Sequence, residues 1–447
     1  MFFKGLVSDE FENFNNFVER KYVLSDVAFT RKRKLSLEST IKYPLCNNRK
    51  TTSIDINRFL RNELNDRGVR ITKQAVSEKR QFIDSQVYVD MNDSLISKIY
   101  DHEDEMTSFK EFFVFAIDGS IVEIPNNPLT REEFNIPEKT ELRKDTSSAR
   151  ISCMADTNWD FIISSNLTNK YVDEIEHALM HLDDAKNKID MTKTITTYDR
   201  WYNSVELMLK TIQMDSYFII RGKTSTFKKQ QKQIKNDEKT DETFEINFKK
   251  SQINNFFTDS VKKFARKTRE LKVRIVFVKL KTGEIETLFT NLPKEIATPE
   301  ELKQLYGTRW TIEKDYDRLK NKLHIEKFTG KKKIIIEQDF YSHIYLFNIL
   351  IALKHDAESE ITRKPKETTK YKYKYKTNVN TLIGNIKEEM PRLLIDDKEE
   401  INKIVEEILD IARKDLVYTK IKAPTNEERD KKKYYHKKCK TNIQDSF

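Results

Sequence analysis

The apolar run Phe112-Phe113-Val114-Phe115-Ala116-Ile117 stops abruptly at Asp118-Gly119-Ser120. An unbroken run of β formers ended by turn residues reads as a strand buried on both faces, so the sheet that holds it must be covered on both sides. Ile121 to Pro125 reads as the strand returning from a turn at 118–120, and Arg150 to Ala155 and Phe161 to Asn166 read as two more. A helix over about 171–188, amphipathic through Ile175, Leu179 and Leu182, precedes a strand from Thr194 to Asp199. A helix over 203–213 and a strand from Tyr217 to Arg221 follow. Adjacent strands followed by alternating helices and strands predict an α/β fold, a mixed sheet flanked by helices.

The flanks read differently. Residues 1–105 carry helical periodicity and basic clusters at Arg31-Lys32-Arg33-Lys34 and through Arg58, Arg61, Arg67 and Arg70. Ile71 to Ile83 reads as a helix capped by Thr72, after a turn at Gly68, with its lysines and arginines outward. Such a helix suits a helix-turn-helix-like DNA module and equally suits plain helical packing. Lys228 to Glu242 is polar enough to be a loop, and Val273–Leu280 with Glu284–Thr290 reads as a hairpin across Lys281-Thr282-Gly283. Thr298-Pro299 opens a helix that runs to about 322, and the segment from Gln338 to about 356 is apolar and helical. A basic linker at 361–376, a helical stretch at 378–416 and a basic tail at 429–440 complete the chain. The expected organisation is a helical DNA-binding region at 1–105, a core at 106–222 and 298–358, a β-rich insertion at 223–297, and a C-terminal region at 359–447.

Composition narrows the function. With 447 residues there is room for two to four domains at roughly 100–200 residues each. The 82 Lys and Arg against 72 Asp and Glu leave a net charge of +10, which suggests a polyanionic partner. Cys46, Cys153 and Cys439 form no CxxC pair, which excludes a disulfide framework and a cysteine zinc site. The longest apolar stretch, Ile344 to Leu353, is broken by Asn348 and falls well short of the ~20 residues of a membrane span. The start turns acidic before a signal peptide could form. A cytoplasmic protein with no membrane partner is expected.

Two aspartates end predicted strands, Asp118 and Asp199. Side chains at the carboxyl ends of strands in α/β sheets face the crevice where ligands bind. Two carboxylates there repel one another unless a cation lies between them. Oxygen ligands without cysteine or a histidine cluster favour Mg²⁺ or Mn²⁺ over zinc. Each aspartate taken singly is also an ordinary turn or cap residue. On the helix from Thr298, Tyr306, Arg309, Glu313 and Lys320 fall within about 60° of one another at ~100° per residue. One acid, two cations and a phenol on one stripe suit a metal-ligating carboxylate flanked by phosphate holders. A solvated, charge-paired face is the other reading.

The spacing Tyr306-x2-Arg309-x3-Glu313-x6-Lys320 resembles the Y-R-E-K signature of bacterial insertion-sequence transposases with a DDE triad. Asp118-Gly119-Ser120 resembles the first-aspartate block of that family. Asp199-Arg200-Trp201-Tyr202 resembles the second, with Trp201 where the common form has glycine. The resemblance covers about 70–356 and implies a ribonuclease-H-like domain. It also implies Asp118, Asp199 and Glu313 as ligands for two divalent ions, and Tyr306, Arg309 and Lys320 as the residues holding the DNA strand. By the same resemblance the protein would cut and join the inverted-repeat ends of its own element, as a homodimer on double-stranded DNA in the bacterial nucleoid. A hairpin route with a base flipped onto an aromatic residue is a further implication, with Phe277 and Phe289 as candidates or, alternatively, core residues. A metal-dependent nuclease without strand transfer and an inactive DNA-binding descendant are the rival readings. Among the remaining features, His177 and His181 near Glu174 and Glu176 read as a partly exposed pair or a metal site. Trp310 is expected to bury against the sheet. The Tyr-Lys alternation from Tyr371 to Lys376 reads as a solvated linker or a stacking surface.

Overall fold

The computed structural model of the chain describes residues 2–31, 33–48, 51–63, 71–136, 147–280, 282–363, 373–394 and 397–420. Lys32, Arg67, Gly68 and Arg70, much of the 361–376 linker, the 429–440 tail and Cys439 lie outside them. One sheet carries the strands β1 (Phe113–Ile124), β2 (Ser147–Asp156), β3 (Ile162–Asn169), β4 (Thr194–Tyr198), β5 (Tyr217–Arg221), β6 (Asp241–Asn247), β7 (Glu270–Lys279) and β8 (Ile285–Thr290). Their order is β3-β2-β1-β4-β5-β8-β7-β6. β1 pairs antiparallel with β2 and parallel with β4, which is parallel to β5. The expected α/β class, a mixed sheet flanked by helices, is thus what the chain adopts, and the hairpin strands β7 and β8 extend the same sheet through the β5–β8 pairing.

The apolar run is buried on both faces, as its composition requires. Phe113, Phe115 and Ile117 enter the larger core. Phe112 and Val114 enter a smaller one beneath the helix Pro299–Thr308, with Ile195, Ile219, Leu302 and Leu305. The alternation follows from the period-2 geometry of a strand.

Three expectations about elements are corrected. No turn occurs at Asp118-Gly119-Ser120: β1 stays paired with β2 from Phe115 to Ile124, with Asp118 opposite Cys153. What ends near Asp118 is the parallel pairing with β4, whose last partners are Ile117 and Tyr198. The polar run from Lys228 is a helix to Asn236 followed by β6. Its lysines and glutamines are good helix formers, and Ile234 and Gln231 fasten it, Gln231 donating to the carbonyls of Lys223 and Thr226 at 2.9 and 2.5 Å. The helix from Thr298 is not continuous to 322. It runs from Pro299 to Thr308 under a Thr298/Glu301 capping box, breaks, resumes over Thr311–Asp317, and ends in a π-helical turn at Arg318–Lys322.

The helix Lys333–Arg363 organises the rest. Asn348 in its middle accepts from the Ile162 N–H at 2.9 Å and donates to the Ile162 carbonyl and to Asn92, which ties β3 and the helix Gln86–Tyr100 to it. Asp356 accepts from the backbone N–H groups of Phe2, Phe3 and Lys4 at 3.0, 3.3 and 2.6 Å, capping the helix Phe3–Glu12 from the far end of the sequence. The helix Lys73–Arg80 is capped by Thr72, whose hydroxyl accepts from Ala75 N–H at 3.1 Å. Its last residue is not outward as expected. Arg80 is 2 % exposed and donates to Gln338, Thr329 and Asp339 at 2.9, 2.6 and 2.9 Å. The stretch 378–416 is two helices, Val379–Leu393 and Lys398–Lys414, bracketed by β9 (Tyr373–Thr377) and β10 (Leu416–Lys420). The described part of the Tyr-Lys alternation is therefore a paired strand, Tyr375 opposite Tyr418, rather than a linker. Among the described residues no helix is long and apolar enough to cross a membrane.

Candidate active site

The parallel register of β1 and β4 brings the two aspartates together. With Ile117 opposite Tyr198, the next residue of β1 is Asp118 and the residue directly after β4 is Asp199. Asp118 is held from behind: Tyr316 Oη and Ser152 Oγ donate to its carbonyl at 2.5 and 3.3 Å, and one carboxylate oxygen accepts from Gly119 N–H at 3.0 Å. Asp199 caps the 3-10 turn Arg200–Tyr202, accepting from Trp201 N–H at 2.6 Å. Trp201 is absent from the left-handed backbone region, so this turn has no need of a glycine. Its ring is 69 % exposed beside Lys223.

Glu313 comes from the short helix Thr311–Asp317, which rests on the core through Ile312 and Tyr316. The Arg309 guanidinium lies between acids, 3.9 Å from Asp118 and 3.5 Å from Glu313. Arg309 is buried, lies against the rings of Tyr306 and Trp310, and its Nε has no hydrogen-bond partner. Burial raises the Asp118 carboxyl to about 6; Arg309 and Gly119 N–H oppose the shift, while Asp199 and Glu313 add to it. Burial works to discharge Arg309, but Tyr306, Asp118 and Glu313 together hold it charged. Lys320 in the π-helical turn donates to Ser120 Oγ and to the Ile121 carbonyl at 2.6 and 2.7 Å, along the edge of β1 that β4 has left. Tyr306 is buried in the smaller core.

The structure therefore gathers Asp118, Asp199, Glu313 and Arg309 at one end of the sheet, with Lys320 alongside on β1. Three carboxylates are hard oxygen donors of the kind a divalent cation takes, and the charges of Asp199 and Glu313 add a minor part to a shift of Asp118 that burial dominates. Among the described residues, no three such side chains stand at metal-ligating spacing. Arg309 supplies the positive charge between two of them.

Other sequence expectations change. Trp310 is 47 % exposed, because the helix break at 309–310 turns it away from the sheet; Ile312 and Tyr316 do the burying. His177 and His181 are fully buried rather than partly exposed. His181 bonds Ser164 and Ser152 at 2.8 and 2.9 Å, and His177 bonds Thr168 at 2.9 Å, so they pin their helix to β2 and β3. Phe289 is core: a Cβ on Gly222 would sit 2.7 Å from its ring. Phe277 is partly buried against the same core. Missed by sequence reasoning were Tyr316, which holds the Asp118 backbone, and the Arg150–Glu174 pair at 2.5 Å beside Gly119. Tyr316 stands three residues after Glu313, and that helical spacing was the available signal.

Residues 113–349 match the family model of the transposase DDE domain, a span that begins with β1 and includes all three acids. The chain belongs to this transposase family. Among curated protein sequences, none matches it. A solved structure it resembles is the cryo-EM structure of a piggyBac transposase synaptic complex with hairpin DNA. The two share 10 % identity, over 91 % of this chain and 85 % of that one, with a TM-score of 0.42.

Proposed function

We propose that this DDE transposase acts as a metal-dependent DNA strand-cleaving and strand-joining enzyme of the Y-R-E-K insertion-sequence group. The observation that carries the reading is the β1/β4 register, which sets Asp118 and Asp199 side by side, with Arg309 joining Asp118 to Glu313. Asp118, Asp199 and Glu313 are the residues that would hold divalent cations, Mg²⁺ or Mn²⁺, in a site for two. When bound, such ions activate a water or a DNA 3′-hydroxyl and steady the leaving oxygen of an in-line displacement at phosphorus. Arg309, with one unpartnered nitrogen, offers a charge-assisted hydrogen bond to a phosphate oxygen. Lys320 holds a second cation along the β1 edge, and Tyr306 backs Arg309. Tyr316 fixes the Asp118 backbone so that its carboxylate keeps its aim.

The substrate of this reading is double-stranded DNA carrying the terminal inverted repeats of the element, handled by a homodimer because two ends are joined in one event. The test is a labelled duplex bearing the repeats that flank the gene, incubated with Mn²⁺ or Mg²⁺. Cleavage at the repeat boundary and joined products are expected. Normal folding of Asp118→Asn with undiminished cutting would overturn the assignment. Cutting without joined products would favour a nuclease.

A further inference from the structure

Behind Asp118, on the face of the sheet opposite its carboxylate, lies a buried histidine to which the catalytic reading gives no task. Directly opposed residues of an antiparallel pair share a face, and successive residues alternate. Asp118 and its partner Cys153 therefore point one way, and Gly119 and its partner Ser152 the other. Ser152 stands opposite Asn166 on β3, with Ser164 on the same face of that strand. The helix Glu174–Ala185 lays His181 against all three.

The hydrogen bonds of this group fix which ring nitrogen carries the proton. A carbonyl can only accept, so the Ser152 hydroxyl, 3.3 Å from the Asp118 carbonyl, gives its single proton there. The ring nitrogen 2.9 Å from Ser152 Oγ, Nε2, must then donate. Nδ1 is left as the acceptor, and it meets two donors, the Ser164 hydroxyl at 2.8 Å and the Asn166 amide at 3.3 Å. The opposite tautomer would leave the Ser164 proton without an acceptor, since among the described residues Ser164 Oγ has no other hydrogen-bond partner. Buried hydroxyls are rarely left in that state. Burial above all, then the nearby His177 and Lys188, keeps the ring neutral.

A chain of donors thus runs from His181 Nε2–H to Ser152, and from the Ser152 hydroxyl to the Asp118 carbonyl. That carbonyl is gripped from both faces of the sheet, because Tyr316, which donates to it at 2.5 Å, comes from the side of Cys153. His177, one turn earlier on the same helix, has no such line to the site. It bonds Thr168, whose hydroxyl donates to the Asn169 carbonyl.

We infer that His181 is a positioning residue of the catalytic site, acting through Ser152 to hold the Asp118 backbone from the face opposite Tyr316, so that the carboxylate stays aimed at its divalent cation. This rests on the metal-dependent transposase reading. The Ser152 contact is long for an O–H donor. Its loss should therefore weaken metal binding by about three- to tenfold, below the ~10–100-fold seen when a direct partner of a metal ligand is removed.

Two measurements on the full-length protein test this. With ¹⁵N-labelled histidine and no metal, long-range proton–nitrogen correlations should show the His181 ring, identified by the signal missing from His181→Gln, as the neutral Nε2–H tautomer. The Nδ1–H form, or an imidazolium at neutral pH, would overturn the donor chain. In the second measurement, Mn²⁺ uptake by the DNA-free protein is followed by electron paramagnetic resonance, beside the Mn²⁺ concentration that gives half-maximal cleavage. Ser152→Ala and His181→Leu should each raise both values about three- to tenfold, and the double variant should be no worse than the poorer single one. His181→Gln, which keeps a donor near Nε2, should recover most of the loss. His177→Leu, also buried on that helix, should lower the melting temperature without moving either Mn²⁺ value. Additive losses, or a shift in His177→Leu as large as in His181→Leu, would reduce His181 to packing and overturn the inference. Should His181→Leu not fold, Ser152→Ala and the tautomer decide. If the parent takes up no Mn²⁺, or Asp118→Asn takes up as much, the metal-site reading fails and carries the inference with it. Uptake that depends on Asp118, with parental values in Ser152→Ala and His181→Leu, leaves that reading standing and removes His181 alone.

Discussion

Two arginines in this protein each reach a carboxylate, and they do so in opposite conditions. Arg80 meets Asp339 at 2.9 Å with both side chains sealed from water, and Gln338, Thr329 and the Ile335 carbonyl take three more of its five N–H groups. Arg309 spans Asp118 and Glu313 at 3.9 and 3.5 Å, those acids stay 24 % and 35 % exposed, and its Nε has no partner. A buried ion pair is tolerable only when every remaining donor is satisfied. Arg80 comes close to that condition, with four of its five N–H groups bonded, and is sealed away from any ligand. Arg309 does not meet it, and under the proposed function that shortfall is what an incoming phosphate would fill. The lesson is that hydrogen-bond completeness, more than residue type, separates a structural charge from a working one.

The largest effect that could break this contrast is catalytic. Asp118→Asn should lower DNA cleavage by about 10³-fold, the equivalent of several kcal/mol of transition-state stabilisation, while its melting temperature stays near that of the parent. A comparable loss of folding stability would place Asp118 among structural charges instead. Next in size, Arg80→Leu should leave the buried Asp339 without its counter-charge, held by Thr329 hydrogen bonds, and cost about 3–5 kcal/mol in urea denaturation. A loss below about 1 kcal/mol would show that the two arginines do not differ in the way described. Arg309→Lys keeps the charge but loses the planar fork. It should change stability by no more than about 1 kcal/mol, since its pairs are long and their acids partly exposed, yet slow cleavage by at least about tenfold. Equal rates would remove Arg309 from phosphate handling.

Acid gives a milder test, because pH near neutrality leaves both arginines charged. Burial, with nearby Arg150, pushes His177 down to about 4, and burial with Lys354 does the same to His355. Their unfolded values lie near 6.5, so between about 6.5 and 4 the unfolded chain binds more protons at these two sites. The histidines' contribution to stability is therefore full above about pH 6.5 and falls as pH drops towards 4, while the buried Asp93, Asp118 and Asp156, raised to about 6, contribute in the opposite sense over the same range. Urea midpoints of the parent and of His177→Gln should therefore diverge as pH falls, the parent losing stability relative to the variant. A parent-minus-variant difference that does not change with pH would exclude His177 as an acid-sensitive element.

Much of the sheet was legible from local pattern. The Phe112–Ile117 run, the Tyr217–Arg221 strand and the β7/β8 hairpin follow from burial and turn chemistry that a short window contains. The turn after Asp118 was misread because Asp-Gly-Ser is a turn sequence in isolation, whereas β2 holds that backbone extended through a long-range register. The Lys228–Asn236 helix was missed because its anchoring rests on Ile234 and Gln231, too few apolar positions to set a period. The candidate site was named residue by residue, the aspartates from strand ends, Glu313 and Arg309 from a helical stripe, and their roles from a family resemblance. Its geometry was not legible: a single helical stripe was expected, and a break at 309–310 followed by a π-helical turn replaces it. No pattern announced that Arg80 would be buried, because its partners come from residues 329–339.

The cap that Asp356 places on the first helix has a consequence for the order of assembly. Phe2, whose N–H it accepts, and Asp356 are 354 positions apart in sequence. At a synthesis rate of ~5–20 residues per second, the first helix waits about 20–70 s before its cap leaves the ribosome. The amino-terminal helices, which pack on that same Lys333–Arg363 rod, are thus made first and seated late, and the interval is a window in which a chaperone would find their apolar faces uncovered.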